Sequence, residues 1–237
     1  MNATPPVLQM TGVRKAYASL RPLRIRSLEV APAERVAIAG LDLAAAELMV
    51  NLVTGATLPD EGQVRVFGRS TADVVNGDEW LASLDRFGIV SDRAAFLEGA
   101  TLAQNLALPF TLEIDPISPD TRHVVRRLAE ECDIAPEWME QPGGELPPAV
   151  RARVHLARAV ALGPALLLIE HPTATLPEAD RGVYGSVVAR VCAARALTAL
   201  LMTLDAVFAA AAAHRTLTLQ PATGELAPAP RKSWFRR

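Results

Sequence analysis

The segment from Gly40 to Leu48 has the setting of a phosphate-binding loop but lacks most of the residues that such a loop uses. It lies between an apolar run at residues 36–39 and a helix-like run at residues 49–53. A phosphate loop needs glycines whose backbone N–H groups can face a phosphate, followed by a lysine and then a serine or threonine. Here Ala46 stands at the lysine position and Glu47 at the hydroxyl position. The spacing predicts the fold of a nucleotide-binding site without the residues that bind phosphate.

Composition limits the classes of protein to which this chain can belong. Hydrophobic residues make up 50% of the 237 residues, which is enough for a packed core and excludes wholesale disorder. The net charge of −2 gives no support for nucleic acid as a partner. Cys132 and Cys192 match no metal-ligand spacing, so we expect reduced thiols and a cytosolic setting. No apolar run approaches the roughly 18 residues that a spanning helix needs.

Strand-like and helix-like segments alternate in the second half of the chain, which predicts a mostly parallel sheet with helices on both faces. Strands that precede any helix predict an added antiparallel layer. The predicted strands are residues 7–12, 24–30, 35–39, 63–67, 88–90, 166–169, 197–202 and 216–219. The predicted helices are residues 44–53, 101–108, 119–132, 150–162, 178–194 and 206–213. The chain from Pro221 onward reads as a tail, which ends in a basic, flexible stretch at residues 227–237.

Several stretches in this order resemble the ATP-binding subunit of ATP-binding cassette (ABC) transporters, over about residues 7–226. They are residues 52–55, 59–64, 67–69, 101–109, 153–169 and 172–174. The resemblance implies an α/β fold of the P-loop NTPase type with an N-terminal antiparallel layer, in a single domain over residues 1–226. It also implies an inserted helical sub-domain at about residues 92–150. ATP and Mg²⁺ are the cofactors that the family uses, although the altered loop predicts that this chain uses neither.

The resemblance places a nucleotide site on residues that suit it poorly. Two unit charges 4 Å apart at an effective dielectric of 20 repel by about 4 kcal/mol, so Glu47 would oppose a phosphate. Leu43 also replaces a glycine. Two interpretations stay open: a helix in which Glu47 faces solvent, or nucleotide binding in a modified mode. The degenerate site comprises Tyr17 at the adenine position together with Gly40, Ala45, Ala46, Glu47, Leu48 and Asp92.

The remaining motif positions are altered as well. Glu170 and His171 occupy the family's catalytic carboxylate positions, and Leu204 replaces its switch histidine. Asp92 stands at the metal-contacting glutamine, where it either touches Mg²⁺ or caps a loop. No metal site is expected, and Asp92 and Glu170 are the only, weak, candidate ligands. The signature motif falls on residues 146–150, where prolines replace residues that offer backbone N–H groups.

Three hypotheses for function follow. The favoured one is a non-hydrolysing structural or regulatory subunit of a membrane transport complex. The resemblance implies that it would lie at the cytoplasmic face of the cell membrane, with a membrane permease or another ABC ATPase subunit as partner in a dimer. The second hypothesis is an active transport ATPase with atypical motifs. The third is a soluble binding module no longer tied to transport.

Two further basic groups have competing interpretations. Arg151, His155 and Arg158 share one face of the helix at residues 150–162, which is either a solvated face or a contact for a phosphate or a partner. Trp234 and Phe235, among basic residues, either touch an anionic membrane or end a flexible tail.

Overall fold

A computed structural model of the chain describes residues 4–74, 76–91 and 93–229. The strands are β1 (Leu8–Lys15), β2 (Leu23–Val30), β3 (Arg35–Ala39), β4 (Glu61–Val66), β5 (Arg69–Ser70), β6 (Phe87–Val90), β7 (Leu166–Glu170), β8 (Thr198–Met202), β9 (Arg215–Gln220) and β10 (Glu225–Pro228). The helices are α1 (Leu43–Thr54), α2 (Gly77–Leu84), α3 (Leu102–Ala107), α4 (Pro119–Glu131), α5 (Pro148–Val160), α6 (Glu178–Ala194) and α7 (Ala206–Ala212).

Two sheets form the frame, as the sequence predicted. Four strands make an antiparallel sheet in the order β2-β1-β4-β5, and six make a mostly parallel sheet in the order β10-β9-β3-β8-β7-β6. In the second sheet β3, β6, β7, β8 and β9 run parallel, and β10 is antiparallel to β9. Because parallel strands end at one edge, the segments after β3, β6, β7 and β8 meet there.

The centre of the parallel sheet is buried on both faces. Every residue of β7 and β8 is buried, which agrees with their largely apolar sequences; Glu170 and Thr198 are the polar exceptions. Helix α1 adds Ala46, Met49, Leu52 and Val53 to one face, each with no exposed surface. Burial of each larger aliphatic side chain contributes roughly 1.5–3 kcal/mol, so this layer holds α1 and the loop before it against the sheet.

Three helices, α3, α4 and α5, pack together beyond the edge formed by β6. Thr101 caps α3 in a reciprocal arrangement with Gln104, in which each side chain accepts a bond from the other residue's backbone N–H. Asn105 is fully buried, accepts from the Leu97 N–H at 3.0 Å and donates to the Leu97 carbonyl at 2.9 Å. The loop that enters this helical region is therefore fixed by side-chain bonds rather than by a strand or helix.

The described part of the chain contains three strands or α-helices that the sequence did not predict: the two-residue strand β5, helix α2 and strand β10. Helix α2 was not predicted, since it is short and has no buried residue to give an apolar period. The tail predicted from Pro221 was wrong in its first part, because β10 pairs with β9 there and spans the predicted domain boundary at residue 226. The basic stretch with Trp234 and Phe235 lies outside the described residues.

Candidate functional site

In the loop between β3 and α1, the side chain of Asp42 bonds to the backbone at the start of the helix. Gly40 turns with a φ of 93°, and a Cβ there would lie 3.2 Å from the Leu219 carbonyl oxygen, so glycine suits this position. Asp42 then caps α1: its Oδ1 accepts from the Ala45 N–H at 2.8 Å, and its carbonyl accepts from the Ala46 N–H at 2.9 Å. The N–H groups of Ala45 and Ala46 are thus bonded within the chain.

The three residues that follow separate into two environments. Ala46 is fully buried and Leu48 is buried beside it, so both belong to the core that holds α1. Glu47 lies on the other side of the helix with 48% of its side chain exposed, and its carboxylate forms an ion pair with Nη1 of Arg93. Glu47 is therefore exposed on a helix that packs in the core, as one of the two interpretations expected, and a cation from a distant segment also reaches it.

Arg93 joins Glu47 to the end of β7. Its Nη2 donates to Glu170 Oε1 at 2.9 Å and to Oε2 at 2.7 Å. Ser91 adds a third bond, from its hydroxyl to Glu170 Oε2 at 3.1 Å. Only 7% of the Glu170 side chain is exposed. The oxygens of this candidate metal ligand are therefore bonded to an arginine and a serine of the same chain.

Electrostatics favours the charged arginine in this position. Partial burial alone would lower the pKa of the Arg93 guanidinium, but the hydrogen bond and charge of Glu170, together with the charge of Glu47, raise it above its ordinary value. Charge-assisted hydrogen bonds, here from one guanidinium nitrogen to both oxygens of Glu170, are stronger than bonds between neutral groups. The guanidinium is consequently a permanent positive charge between two carboxylates.

A cleft of about 590 Å³ opens beside the loop, at the ends of β7 and β8. His171 and Leu204, at the catalytic and switch positions, both line it. His171 has a left-handed backbone (φ 37°), and within the described part of the chain its Nε2 is buried without a hydrogen-bond partner. Leu204 is 67% exposed and presents an apolar side chain. Arg181, opposite, lies 3.4 Å from an Asp205 oxygen.

Tyr17 lies on the other side of the same loop. With Gly40, Asp42 and Ala45 it lines a smaller cavity of about 230 Å³. Its ring is half-buried and packs against the apolar cluster under α1. The structure thus brings Tyr17 and the loop together, as the resemblance implied, although Tyr17 also serves the packing role that the sequence left open.

The signature segment begins α5 without a side-chain cap. Pro147 is at the cap position and Pro148 is the first helical residue, so two N–H groups are missing there. The N–H groups of Val150 and Arg151 both donate to the Pro147 carbonyl. Residues Gly143–Glu145 form a short 3₁₀ turn before it.

The basic face of α5 packs on the entering loop instead of facing solvent. Arg158 donates to the Ala95 carbonyl at 2.6 Å, and Arg151 donates to the Gly143 carbonyl at 3.1 Å. The His155 ring lies 5.4 Å from that of Phe96. Burial lowers the pKa of Arg158 below its ordinary value. These residues therefore position residues 95–98 and the turn at Gly143.

A groove of about 370 Å³ lies between α5, β6 and the chain after α3. Its apolar lining includes Ile89, Leu108, Pro109 and Leu162, and Leu162 is 60% exposed. Gly88 forms the groove floor, where a Cβ would meet the Ala159 carbonyl oxygen at 2.3 Å and force α5 away. The tight contact of α5 with β6 thus shapes the groove.

Arg93 is the residue that sequence reasoning missed. The only signal was its place three residues beyond a strand end, in Ser91-Asp92-Arg93. Asp92 itself lies outside the described residues. Within residues 4–74, 76–91 and 93–229, no three His, Cys, Asp or Glu side chains are grouped as a metal site would require. No helix in this part of the chain has the length and apolar character needed to cross a bilayer.

Comparison with known proteins gives a consistent result. Residues 23–174 match the family model for the ABC transporter. The chain is 29% identical over 199 residues to the Fe(3+) ions import ATP-binding protein FbpC 2 of Rhodococcus jostii (strain RHA1), covering 84% of this chain and 55% of that protein. It is 29% identical over 199 residues to the methionine import ATP-binding protein MetN of Brucella abortus (strain 2308), with 84% and 53% covered. The chain spans about half the length of these relatives.

Solved structures share the architecture. The dimeric post-hydrolysis state of the ATP-binding cassette MJ0796, bound to ADP and Pi, aligns with a TM-score of 0.73 at 20% identity, over 91% of this chain and 95% of that one. The protein cbiO1 of Clostridium perfringens, part of the ABC transporter complex cbiONQ, aligns with a TM-score of 0.77 at 16% identity, over 94% and 87%. At these identities the likeness concerns the fold.

Proposed function

This chain belongs to the ABC transporter family, and from that premise we propose that it is a non-hydrolysing structural or regulatory subunit of a membrane transport complex. It acts by contact with a membrane permease and with another ABC subunit, at the cytoplasmic face of the membrane. The observation that carries this proposal is the Asp42 carboxylate, which caps α1 and takes the N–H of Ala45.

The Asp42 cap opposes a phosphate in two ways. A bound phosphate would need the same N–H groups at the start of α1, so it would have to displace an internal carboxylate. It would also meet that carboxylate as a like charge, at a cost of about 4 kcal/mol at 4 Å and an effective dielectric of 20. A difference of that size is about a thousandfold in affinity. Ala46, fully buried, supplies no compensating cation.

A bound Mg²⁺ is disfavoured for a separate reason. The resemblance places the metal between positions 47 and 170, and both carboxylates there are paired with Arg93. A divalent cation at the same place would meet the guanidinium as a like charge. The residues present therefore do not fit a Mg²⁺–triphosphate, and the proposed function includes no hydrolysis of ATP.

The groove between α5, β6 and the chain after α3 supports the binding of a partner protein. The groove on α5 and β6 is open, with Ile89 and Leu162 partly exposed at its surface. Asp85, His155 and Arg158 add polar groups to its lining. A groove with this lining fits a short amphipathic helix of another protein. The relatives named above are ATP-binding proteins of import systems, and cbiO1 is part of a complex. A permease segment is therefore the proposed occupant.

Titration calorimetry with ATP, with and without Mg²⁺, tests the nucleotide half of the proposal. We expect no saturable binding up to about 1 mM ATP, the upper end of usual substrate affinities. The Glu170→Gln variant is the control, because it alters the carboxylate held by Arg93. Micromolar binding that is abolished in this variant would support the active transport ATPase instead.

Photo-crosslinking tests the partner half. A photoreactive residue at position 162 is placed in the groove, and one at the fully exposed Leu20, which does not line the groove, serves as control. In membranes of the source organism we expect position 162 alone to crosslink to an integral membrane protein identified by mass spectrometry. Crosslinks to soluble proteins only would support a binding module no longer tied to transport.

A further inference from the structure

Three segments of the chain meet at one guanidinium. Glu47 comes from the first turns of α1, Glu170 from the end of β7, and Arg93 from the loop that follows β6. The Nη1 and Nη2 atoms of Arg93 contact different carboxylates, and its Nε lies 3.3 Å from the Ser91 hydroxyl. All of the nitrogens of the guanidinium are thus directed at groups at the ends of parallel strands or at the start of α1.

We propose that Arg93 is a built-in replacement for a divalent cation, which joins Glu47 and Glu170 and fixes the loop after β6 without any bound metal or nucleotide. Two carboxylates that converge on one position need a positive charge between them, since their mutual repulsion would otherwise separate them. A metal ion supplies that charge from solution. Arg93 supplies it from the chain, with the planar donor geometry that carboxylates favour.

The C-terminal part of the loop after β6 is hydrogen-bonded to the helical region. Leu97 exchanges two hydrogen bonds with the buried Asn105 of α3, and Arg158 of α5 donates to the Ala95 carbonyl. Residues 93–97 therefore connect the strand ends to α3 and α5 through side chains at both ends. Arg93 is the link on the sheet side, so it holds the helical region in one position relative to α1. This inference goes beyond the proposed function, because it concerns the position of the helical region rather than transport.

Mn²⁺ binding, monitored through the electron paramagnetic resonance signal of the free ion, tests whether Arg93 takes the place of a divalent cation. At about 1 mM Mn²⁺, the weak end of the range for carboxylate sites in proteins, we expect the wild-type chain to leave the free signal unchanged. Arg93→Ala, which frees both carboxylates, is expected to bind at least about tenfold more Mn²⁺ than the wild type. Arg93→Ala combined with Glu47→Gln removes one ligand and is expected to return to the wild-type level.

Two results would overturn the replacement. One is Mn²⁺ binding by the wild-type chain that Glu47→Gln abolishes. The other is a folded Arg93→Ala chain that binds no more metal than the wild type. Arg93→Gln also removes the charge while keeping a hydrogen-bond donor for Glu170, so it replaces Arg93→Ala if that variant does not fold. Circular dichroism of each variant establishes folding before the metal is added.

Hydrogen exchange of the loop amides tests the mechanical part. We expect the N–H groups of residues 94–98 to exchange about tenfold faster in Arg93→Ala, because local opening no longer breaks the guanidinium contacts. Added Mn²⁺ should restore the slow rate. Arg14→Ala, which removes an exposed ion pair with Glu61 on the antiparallel sheet, is the control and should leave these amides unchanged. Unchanged exchange in Arg93→Ala would contradict the mechanical part.

Discussion

Arg93 and Arg195 form similar contacts in different parts of the molecule. Arg195, just after α6, binds both oxygens of Glu131 on α4 through Nε and Nη2, and its Nη1 donates to the Val160 carbonyl at 2.6 Å. Arg93 likewise reaches both oxygens of Glu170 and has a further partner in Glu47. Both guanidinium groups connect three segments of the chain. The pKa of each is raised above its ordinary value. For Arg195 the main cause is the hydrogen bond with Glu131; for Arg93 burial lowers the pKa, but the contact with Glu170 outweighs it.

The difference lies in what surrounds each pair. Arg195 lies among α4, α5 and α6, where the resemblance places no ligand, so its contacts are purely structural. Arg93 lies at the carboxyl ends of parallel strands, where open α/β sheets bind their ligands. The same ion-pair chemistry therefore stabilises helix packing in one region and takes the place of a cofactor in the other. A substitution at each arginine, measured with and without metal, separates the two roles.

The largest loss of stability is expected for Arg195→Ala. The change leaves Glu131 unpaired and removes one of the two donors to the Val160 carbonyl, which keeps the Gly163 N–H, so the free energy of unfolding should fall by about 3 kcal/mol. Urea unfolding followed by circular dichroism measures it. Arg190→Ala is the matched control, because Arg190 forms a longer, exposed contact of 3.7 Å with Asp133. A loss no greater than that of the control would contradict a structural role for Arg195.

Arg93→Ala is expected to cost less, and the loss should be reversible. Removing the guanidinium leaves the buried Glu170 with only the Ser91 hydroxyl, which lowers the free energy of unfolding by about 2 kcal/mol. Added Mn²⁺ should restore part of this stability through binding to the folded state. The same addition should leave Arg195→Ala unchanged. Equal recovery of both variants in thermal unfolding would remove the distinction between the two regions.

The smallest effect is expected for Arg215→Gln, at a more exposed pair with Glu34. Burial alone would raise the pKa of Glu34, but hydrogen bonds from Arg215 and the Ala31 N–H hold it below its ordinary value. The contribution is therefore complete above the ordinary glutamate pKa and is lost as pH falls through the lower folded-state pKa. At neutral pH the change should cost about 0.5 kcal/mol. Unfolding free energies of both chains across acidic pH should converge; a constant difference would contradict this account.

The elements with a strong local pattern were predicted well. Helix α1 was predicted at residues 44–53 and spans Leu43–Thr54, because apolar residues recur along the whole segment and Gly55 ends it. Strand β10 was missed since it contains Pro228, which is tolerated there because β10 lies at the edge of the sheet. Pairing with β9 rather than local sequence creates this strand.

The contacts within the site were predictable only in part. The order of motifs placed Gly40, Glu47, Glu170 and Leu204 around one edge of the sheet, since parallel strands end together. The ion pair of Glu47 was not predictable, because Arg93 is distant in sequence and no local pattern links the two. The cap at Asp42 carried a local signal that the sequence prediction did not use, because an Asp just before a helix can accept from the N–H three residues later.

The Asp42 cap bears on any attempt to give this chain the activity of its relatives. Grafting a lysine at position 46 and a threonine at 47 would leave the aspartate bonded to the Ala45 amide. The new lysine side chain would also start inside the core, because Ala46 is fully buried, and it would have to extend out of the core to reach a phosphate. Reversal would thus demand coordinated changes at the turn, the helix and Arg93, none of them useful alone, which makes the present form of the loop hard to undo.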